Sequence, residues 1–231
     1  MRKIFLLLFF TFTLVSYAQQ SDFNEINFQK ADNIADRYKG EELYNLPVLA
    51  LRLTAQLHTE AERFRAIYYW VTQNISGDYT LMTTNEQTRR KLQNNPSALH
   101  QWNRNHSKEI FARLRHKKKT LCTGYAYLVK ELANLAGLEC ELIHGYGLLS
   151  TKQIDTMDIP NHSWNAIKLD GTWYLCDATW SSGIINMDTY EFEFNYNDSF
   201  FLMDPLQFAK THKPLEEKWT LLDTVSEISP E

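Results

Sequence analysis

An Asp-Gly pair, Asp170-Gly171, separates two apolar segments, His162–Leu169 and Thr172–Asp177. A two-residue Asp-Gly loop between strand-forming segments is typical of a tight β-hairpin, because Asp and Gly tolerate the positive φ angles that the turn requires. The turn also predicts the pairing register, since Leu169 must lie opposite Thr172.

Counting outwards from this turn places Asn165 opposite Cys176 and His162 opposite Thr179. His162 then becomes the diagonal neighbour of Asp177 on one face of the sheet. Diagonal neighbours lie ~7–8 Å apart at the backbone, within reach of long side chains. We therefore predict an imidazole–carboxylate contact, in which the carboxylate selects the ring tautomer and stabilises the imidazolium.

The segment before this hairpin has helical periodicity. Apolar residues recur at helical spacing from Cys122 to Ala136, and Gly137 is typical of a helix C-terminus. A strand over Glu139–Tyr146 follows. One helix followed by consecutive antiparallel strands predicts an α+β fold in which the helix carrying Cys122 packs on an antiparallel sheet.

Helical spacing also marks the N-terminal half of the chain. We predict a helix over Phe28–Tyr38, a short second helix that ends by Leu57, and a core helix over Glu60–Asn74. Thr59-Glu60-Ala61-Glu62 has the form of a capping box at the start of the core helix. Residues 76–119 are polar and show no clear periodicity.

The first 18 residues resemble a secretory signal peptide. Two basic residues precede an apolar run over Ile4–Val15, and small residues stand three and one positions before a cut after Ala18. A run of ~12 residues is short for a bilayer span of ~20. We expect a mature chain that begins near Gln19, in the periplasm or outside the cell, with no stable membrane span. An uncleaved membrane anchor is the alternative.

The chain has three cysteines, Cys122, Cys140 and Cys176, so at least one stays unpaired within a single chain. The strand that carries His162 is expected to lie between those of Cys140 and Cys176, which puts these two beyond disulfide reach. We predict that both are buried and inert. The net charge of −4 argues against a nucleic-acid partner.

Cys122 has the position of a nucleophile. It begins a helix, shortly after the basic segment Lys117–Thr120, where backbone N–H groups and the positive helix end favour a thiolate. A neighbouring imidazole such as His162 would activate this thiol. The backbone N–H of Cys122 is also suited to stabilise an oxyanion.

Three motifs, Cys122-Thr-Gly-Tyr-Ala, His162-Ser-Trp-Asn and Asp177-Ala-Thr-Trp, resemble the core motifs of the transglutaminase-like superfamily. The resemblance covers roughly residues 45–222, and the flanking segments are similar to its kyphoscoliosis-peptidase branch. Those flanking segments are Arg65-Ala-Ile-Tyr-Tyr-Trp70, Asn74-Ile75, Gly145-Tyr146, Gly171-Thr-Trp-Tyr174, Phe200-Phe-Leu-Met-Asp-Pro205 and His212-Lys-Pro214.

The resemblance implies a papain-like cysteine-hydrolase fold. It also implies a triad in which Cys122 is the nucleophile, His162 the base and acid, and Asp177 the residue that orients His162. The expected reaction is acyl transfer from an amide of a peptide, protein or cell-wall peptide, to water in a peptidase or amidase and to an amine in a transglutaminase. A catalytically silent peptide- or cell-wall-binding module on the same fold is the alternative.

The surroundings of this triad are less defined in the sequence. Trp164 and Trp180 are expected to line the substrate cleft, with core packing as an equal alternative. Gln87, Gln93 and Trp102 are candidates for a side-chain oxyanion donor. No metal signature, calcium loop or cofactor motif is present, so we expect no cofactor.

Two other histidines follow the nucleophile. His144 is expected to pack or to face solvent, and His212 to organise the C-terminal tail. The predicted organisation is a signal peptide over 1–18, an N-terminal segment with a short helix over 19–44, the transglutaminase-like domain over 45–222 and a loose tail over 223–231. The oligomeric state is not indicated by the sequence.

Overall fold

The computed structural model describes residues 20–23, 25–148 and 159–222, so the predicted signal peptide and the tail over 223–231 lie outside the described residues. Its order of helices and strands confirms the α+β class. Within the described part, the helices are α1 (Gln29–Arg37), α2 (Leu46–Thr54), α3 (Glu60–Asn74), α4 (Tyr79–Leu92), α5 (Pro96–Lys117), α6 (Cys122–Leu135), α7 (Ala178–Ser182) and α8 (Pro205–Phe208).

The main sheet has four antiparallel strands in the spatial order β5 (Thr172–Cys176), β4 (His162–Leu169), β3 (Cys140–Gly147) and β8 (His212–Pro214). Cys140 on β3 and Cys176 on β5 are separated by β4, which confirms the predicted strand order, and both are free buried thiols. The strands are β1 (Ser76–Gly77), β2 (Lys119–Thr120), β3 (Cys140–Gly147), β4 (His162–Leu169), β5 (Thr172–Cys176), β6 (Gly183–Ile185), β7 (Phe192–Phe194) and β8 (His212–Pro214).

The hairpin between β4 and β5 has the predicted turn and register. Asp170 and Gly171 adopt φ angles of 47° and 87°, and Leu169 pairs with Thr172. β5 ends at Cys176, however, and Thr179 lies in α7. The predicted pairing of Thr179 with the start of β4 is therefore wrong, because the chain turns into a helix before it reaches that position.

Helix α6 packs on this sheet through a polar side chain as well as apolar ones. Asn165, fully buried on β4, donates from Nδ2 to the carbonyl oxygens of Ala126 at 2.9 Å and Glu141 at 3.1 Å. One side chain thus joins β4 to α6 and to β3. The α6 residues buried in the main core are Tyr125, Leu128, Val129, Leu132 and Ala133.

Helix α3 lies at the centre of the N-terminal half. It begins with the predicted capping box between Thr59 and Glu62. Its buried Arg65 bonds Asp32 of α1 at 2.6 Å and also bonds Asp198, while its guanidinium lies over four aromatic rings. These contacts fasten α1 to the core, so α1 is part of the folded unit.

Residues 76–119, which had no clear sequence pattern, form β1, α4, α5 and β2. α4 buries little of its surface, with Leu81 as its buried residue, so its apolar periodicity is weak. Asp78 caps α4 and bonds Arg113 of α5 at 2.8 Å. No helix in the described part of the chain is long and apolar enough to cross a membrane.

The start of α6 is positioned by a short parallel pairing of β1 with β2 and by a close backbone approach. A Cβ added at Gly124 would lie 2.8 Å from Cβ of Thr120 and closer still to its hydroxyl. Glycine at residue 124 therefore allows the first turn of α6, which carries Cys122, to fold back against β2.

We predict that Gly124→Ala destabilises the protein by about 1–3 kcal/mol, the usual cost of overpacking a core site. Helix propensity alone predicts the opposite sign, a gain of up to about 1 kcal/mol. The free energy of unfolding in urea shows whether Gly124→Ala loses or gains stability. Thr120→Ala/Gly124→Ala should recover part of the loss, because it removes two of the three crowding atoms. Equal or higher stability of Gly124→Ala would contradict the close-packing argument.

Candidate active site

Asp177 lies at the end of the hairpin, fully buried, as the N-cap of α7. Its Oδ1 accepts hydrogen bonds from the backbone N–H groups of Thr179 at 2.8 Å and Trp180 at 3.3 Å. Its Oδ2 accepts from Nε2 of His162 at 2.7 Å and Nε2 of His212 at 3.1 Å. Although burial alone raises the pKa of this carboxyl group, the two imidazoles hold it well below its usual value, so Asp177 is ionised.

The His162 ring is held in place from several sides. The neighbouring Asn161 donates to the carbonyl oxygen of Gly147 at 3.1 Å and accepts from its N–H at 2.7 Å, which ties the start of β4 to the end of β3. Trp180 stacks on the imidazole with ring centroids 5.1 Å apart. The predicted His162–Asp177 contact is present, although Asp177 reaches it from a helix cap and not from a continued strand.

Cys122 begins α6 and is partly exposed, with its Sγ 4.0 Å from the carbonyl oxygen of Asn161. Because Nε2 of His162 is used by Asp177, the other ring nitrogen is left for Cys122. Burial raises the pKa of the Cys122 thiol, but the neighbouring His162 lowers it below the ordinary value. Burial lowers the pKa of His162, while Asp177 and Cys122 raise it to about 10. The pair therefore favours a thiolate beside an imidazolium.

The pKa values of the other two thiols, Cys140 and Cys176, are shifted in the opposite direction to that of Cys122. Burial raises the pKa of Cys140 and of Cys176 above the ordinary thiol value, so neither forms a thiolate near neutral pH. This agrees with the inert role that the sequence predicts for both.

His212 is the residue of this site that sequence reasoning missed. It was expected to organise the tail, but it lies on β8, 2 % exposed, and bonds the same Asp177 oxygen as His162. Its Nδ1 lies 2.9 Å from Oγ1 of Thr211. The available signal was that His212 begins a segment, His212-Lys-Pro214, that is similar to the family and lies 35 residues after Asp177.

Ligand atoms of His162, Asp177 and His212 all lie within 4.8 Å of one another, which is compatible with a metal ion. Both Nε2 atoms, however, act as hydrogen-bond donors to Asp177. An ion would need both nitrogens without their hydrogens, and it would break both bonds. The donor chemistry thus favours a hydrogen-bonded network over a metal centre.

The two tryptophans differ in position. Trp164, expected to line the cleft, is 1 % exposed and packs in the core against Ile143 and Phe208. The core alternative is correct for this residue, because Phe208 of α8 and His212 of β8 cover its ring, with centroids 5.9 Å and 5.0 Å away. Trp180 is half-buried and lies over His162 and His212, with centroids 5.1 Å and 4.5 Å away.

The structure shows the positions of the three candidate oxyanion donors and of His144. Trp102 donates its indole N–H to Asn85 at 3.1 Å and stacks on His106, so it is engaged elsewhere. Gln87 is exposed, and Gln93 is the C-cap of α4. His144, predicted to pack or to face solvent, is exposed as a residue, but its ring is partly enclosed, with Nδ1 3.0 Å from the hydroxyl of Ser163.

Comparison with known proteins agrees with this arrangement. Residues 47–178 match the family model of the transglutaminase-like superfamily. The chain is 32 % identical to the kyphoscoliosis peptidase of Homo sapiens and 31 % identical to that of Mus musculus, each over 198 residues, which is 84 % of this chain and 27 % of each relative. It is 26 % identical over 212 residues to hillarin of Drosophila melanogaster, covering 85 % of this chain and 23 % of that protein.

The chain belongs to the transglutaminase-like superfamily, and its helix on an antiparallel sheet is the papain-like fold of that superfamily. Within it, the chain belongs to the kyphoscoliosis-peptidase-like branch. It spans about a quarter of the length of these curated relatives. The family match ends at residue 178, so β8 and its histidine lie beyond the matched part.

We predict that His212→Gln makes stability less sensitive to acid. Burial lowers the pKa of His212, so the folded chain keeps it neutral while the unfolded chain protonates it below about pH 6.5. Stability is therefore lost as pH falls below that value. Without His212, the slope of unfolding free energy against pH between 5 and 6.5 should be smaller by up to about 1.4 kcal/mol per pH unit.

Urea unfolding at several pH values measures this slope. The amide of Gln can still donate to Asp177, which separates the loss of a titrating group from the loss of a hydrogen bond. His100→Gln, at an exposed position, is the matched control and should follow the wild type. Parallel profiles for wild type and His212→Gln would show that His212 is not held neutral.

Proposed function

We propose that this chain is a cysteine-dependent acyl transferase or hydrolase that acts on amide bonds of a peptide or protein. The observation that carries the proposal is the 2.7 Å hydrogen bond between His162 and the buried carboxylate of Asp177, beside a partly exposed Cys122. In this arrangement Cys122 is the nucleophile, His162 the proton carrier, and Asp177 the residue that orients His162.

The first half of the reaction forms a thioester. The Cys122 thiolate attacks the amide carbonyl, and negative charge develops on the carbonyl oxygen. The backbone N–H of Cys122 is in the first turn of α6, where N–H groups have no acceptor within the helix, and so it is suited to stabilise that oxygen. The His162 imidazolium then gives its proton to the leaving amine, and the C–N bond breaks.

The second half resolves the thioester. Neutral His162 takes a proton from water, whose oxygen attacks the thioester carbonyl, and the C–S bond breaks to release an acid and the thiolate. With an amine in place of water, the product is a new amide. Asp177 stays ionised throughout, because four hydrogen bonds stabilise its charge. The same residues therefore serve a peptidase, an amidase and a transglutaminase.

The sequence and the relatives support a substrate class and a location for this proposal. Two relatives are named as peptidases, which supports a peptide or protein substrate. The apolar N-terminal segment supports secretion or a periplasmic location, where a cell-wall peptide would also be within reach.

We predict that Cys122 is the most reactive thiol, with a pKa below that of an ordinary cysteine. Asp177→Asn should raise this pKa and slow alkylation by iodoacetamide at pH 7 by up to about tenfold. The reason is that His162 loses the carboxylate that keeps it charged. The Asp177 charge also raises the pKa of the thiol directly, but this effect is smaller than that of His162.

His162→Ala should slow alkylation further, since the imidazolium itself is removed. Asp188→Asn, an exposed site, is the matched control and should react at the wild-type rate. The measurement is the rate of Cys122 alkylation against pH in each variant, with circular dichroism to establish that the variant is folded. Wild-type alkylation in Asp177→Asn together with its loss in His162→Ala would exclude Asp177 from the proposed role.

The direct test of function is to trap the acyl-enzyme. Incubation with envelope extracts and rapid acid quenching should add a mass to the Cys122 peptide in the wild type and not in Cys122→Ala. The added mass identifies the acyl donor, and its loss in the presence of excess hydroxylamine marks a thioester. A reactive Cys122 that never acquires such a mass would instead support the binding-module alternative.

A further inference from the structure

Arg89, on α4, is a cation without an ion pair among the described residues. Its Nε is buried and has no hydrogen-bond partner there. Other arginines with low exposure are paired: Arg65 bonds two aspartates, and Arg113 bonds Asp78 and Glu109. A buried donor without an acceptor is costly unless a ligand supplies one.

The helix that carries Arg89 contacts the candidate active site, and the charge of Arg89 lies within electrostatic range of that site. α4 packs against the start of α6 in a cluster that includes Leu81 and Leu121 and reaches Cys122. Burial lowers the pKa of Arg89, and the charge of Cys122 raises it. Burial and then Arg89 lower the pKa of His144, so the guanidinium also lies within electrostatic range of that ring.

Polar groups continue from His144 towards the nucleophile. Nδ1 of His144 lies 3.0 Å from the hydroxyl of Ser163, which lies 3.3 Å from the hydroxyl of Thr123, the residue after Cys122. These three polar side chains form a margin of the site, and the charge of Arg89 lies within electrostatic range of its outer member, His144. None of the described ion pairs brings an acidic side chain to this arginine.

We propose that Arg89 binds a carboxylate of the acyl donor, close to the scissile amide, and so selects acidic substrates. A guanidinium presents paired N–H donors that match a carboxylate, and a partly buried site strengthens the pair. This inference rests on the proposed function, and it adds a substrate class: peptides with a terminal carboxylate or an acidic side chain beside the amide that is attacked.

The experiment compares two alkylating agents of similar size, iodoacetate and iodoacetamide, on Cys122. Both displace iodide by the thiolate, but only iodoacetate carries a carboxylate. The ratio of their rates is therefore insensitive to a change in thiolate fraction. In Arg89→Gln the ratio of iodoacetate to iodoacetamide should fall roughly three- to tenfold, as expected for loss of one nearby charge.

Arg90→Gln is the matched control. It removes the same charge from the next residue, whose side chain is 72 % exposed and paired with Glu86, and should leave the ratio unchanged. An equal ratio in Arg89→Gln and wild type would overturn the anion subsite. A thiol unreactive to both reagents would instead count against the proposed function, so the two failures are distinguishable.

A second measurement on the wild type identifies the source of the carboxylate. N-acetylalanine, with a terminal carboxylate, and N-acetylglutamic acid amide, with an acidic side chain, are tested for protection of Cys122 against iodoacetamide. Their neutral counterparts are N-acetylalanine amide and N-acetylglutamine amide. Protection by either acid over its neutral counterpart, lost in Arg89→Gln, supports the proposal and names the source; equal protection by acid and neutral forms overturns it.

Discussion

The buried carboxylate of Asp177 is the interaction on which the site depends. Its four hydrogen bonds come from α7, β4 and β8, so one side chain joins three parts of the chain. A buried charge is tolerated only when it is paired and hydrogen-bonded. The position of His162 follows from this requirement, because its Nε2 must donate a hydrogen bond to the Asp177 carboxylate. The ring nitrogen that remains then faces the start of α6, where Cys122 lies.

The same carboxylate sets the electrostatics of the pair beside it. It supports the charged form of His162, and that charge in turn favours the thiolate of Cys122. His212 shares the oxygen and stays neutral, because burial and the neighbouring imidazolium both oppose a second positive charge. The site thus combines one charged and one neutral imidazole on a single carboxylate: the charged ring has the shorter bond to Asp177 and has Cys122 beside it.

Much of this arrangement could be predicted from the sequence where local rules act. The Asp170-Gly171 turn predicts the β4–β5 register because turn geometry leaves no other choice, and the period of α6 predicts its start at Cys122. α4 could not be predicted, since a helix that buries little surface has little periodicity. His212 was missed for a different reason: its role depends on a contact across 35 residues, made by a strand too short to carry a pattern.

Strand β8 has three residues and, among the residues that the structure describes, pairs with β3 at the edge of the sheet. Short edge segments open locally at a lower free energy than the core, which stays folded. Because His212 is carried by β8, each such opening would remove one of the two imidazoles from the carboxylate while the helix–sheet core is intact. Local opening of β8 therefore changes the reactivity of the Cys122 thiol. Mild denaturing conditions would alter this reactivity before they unfold the protein.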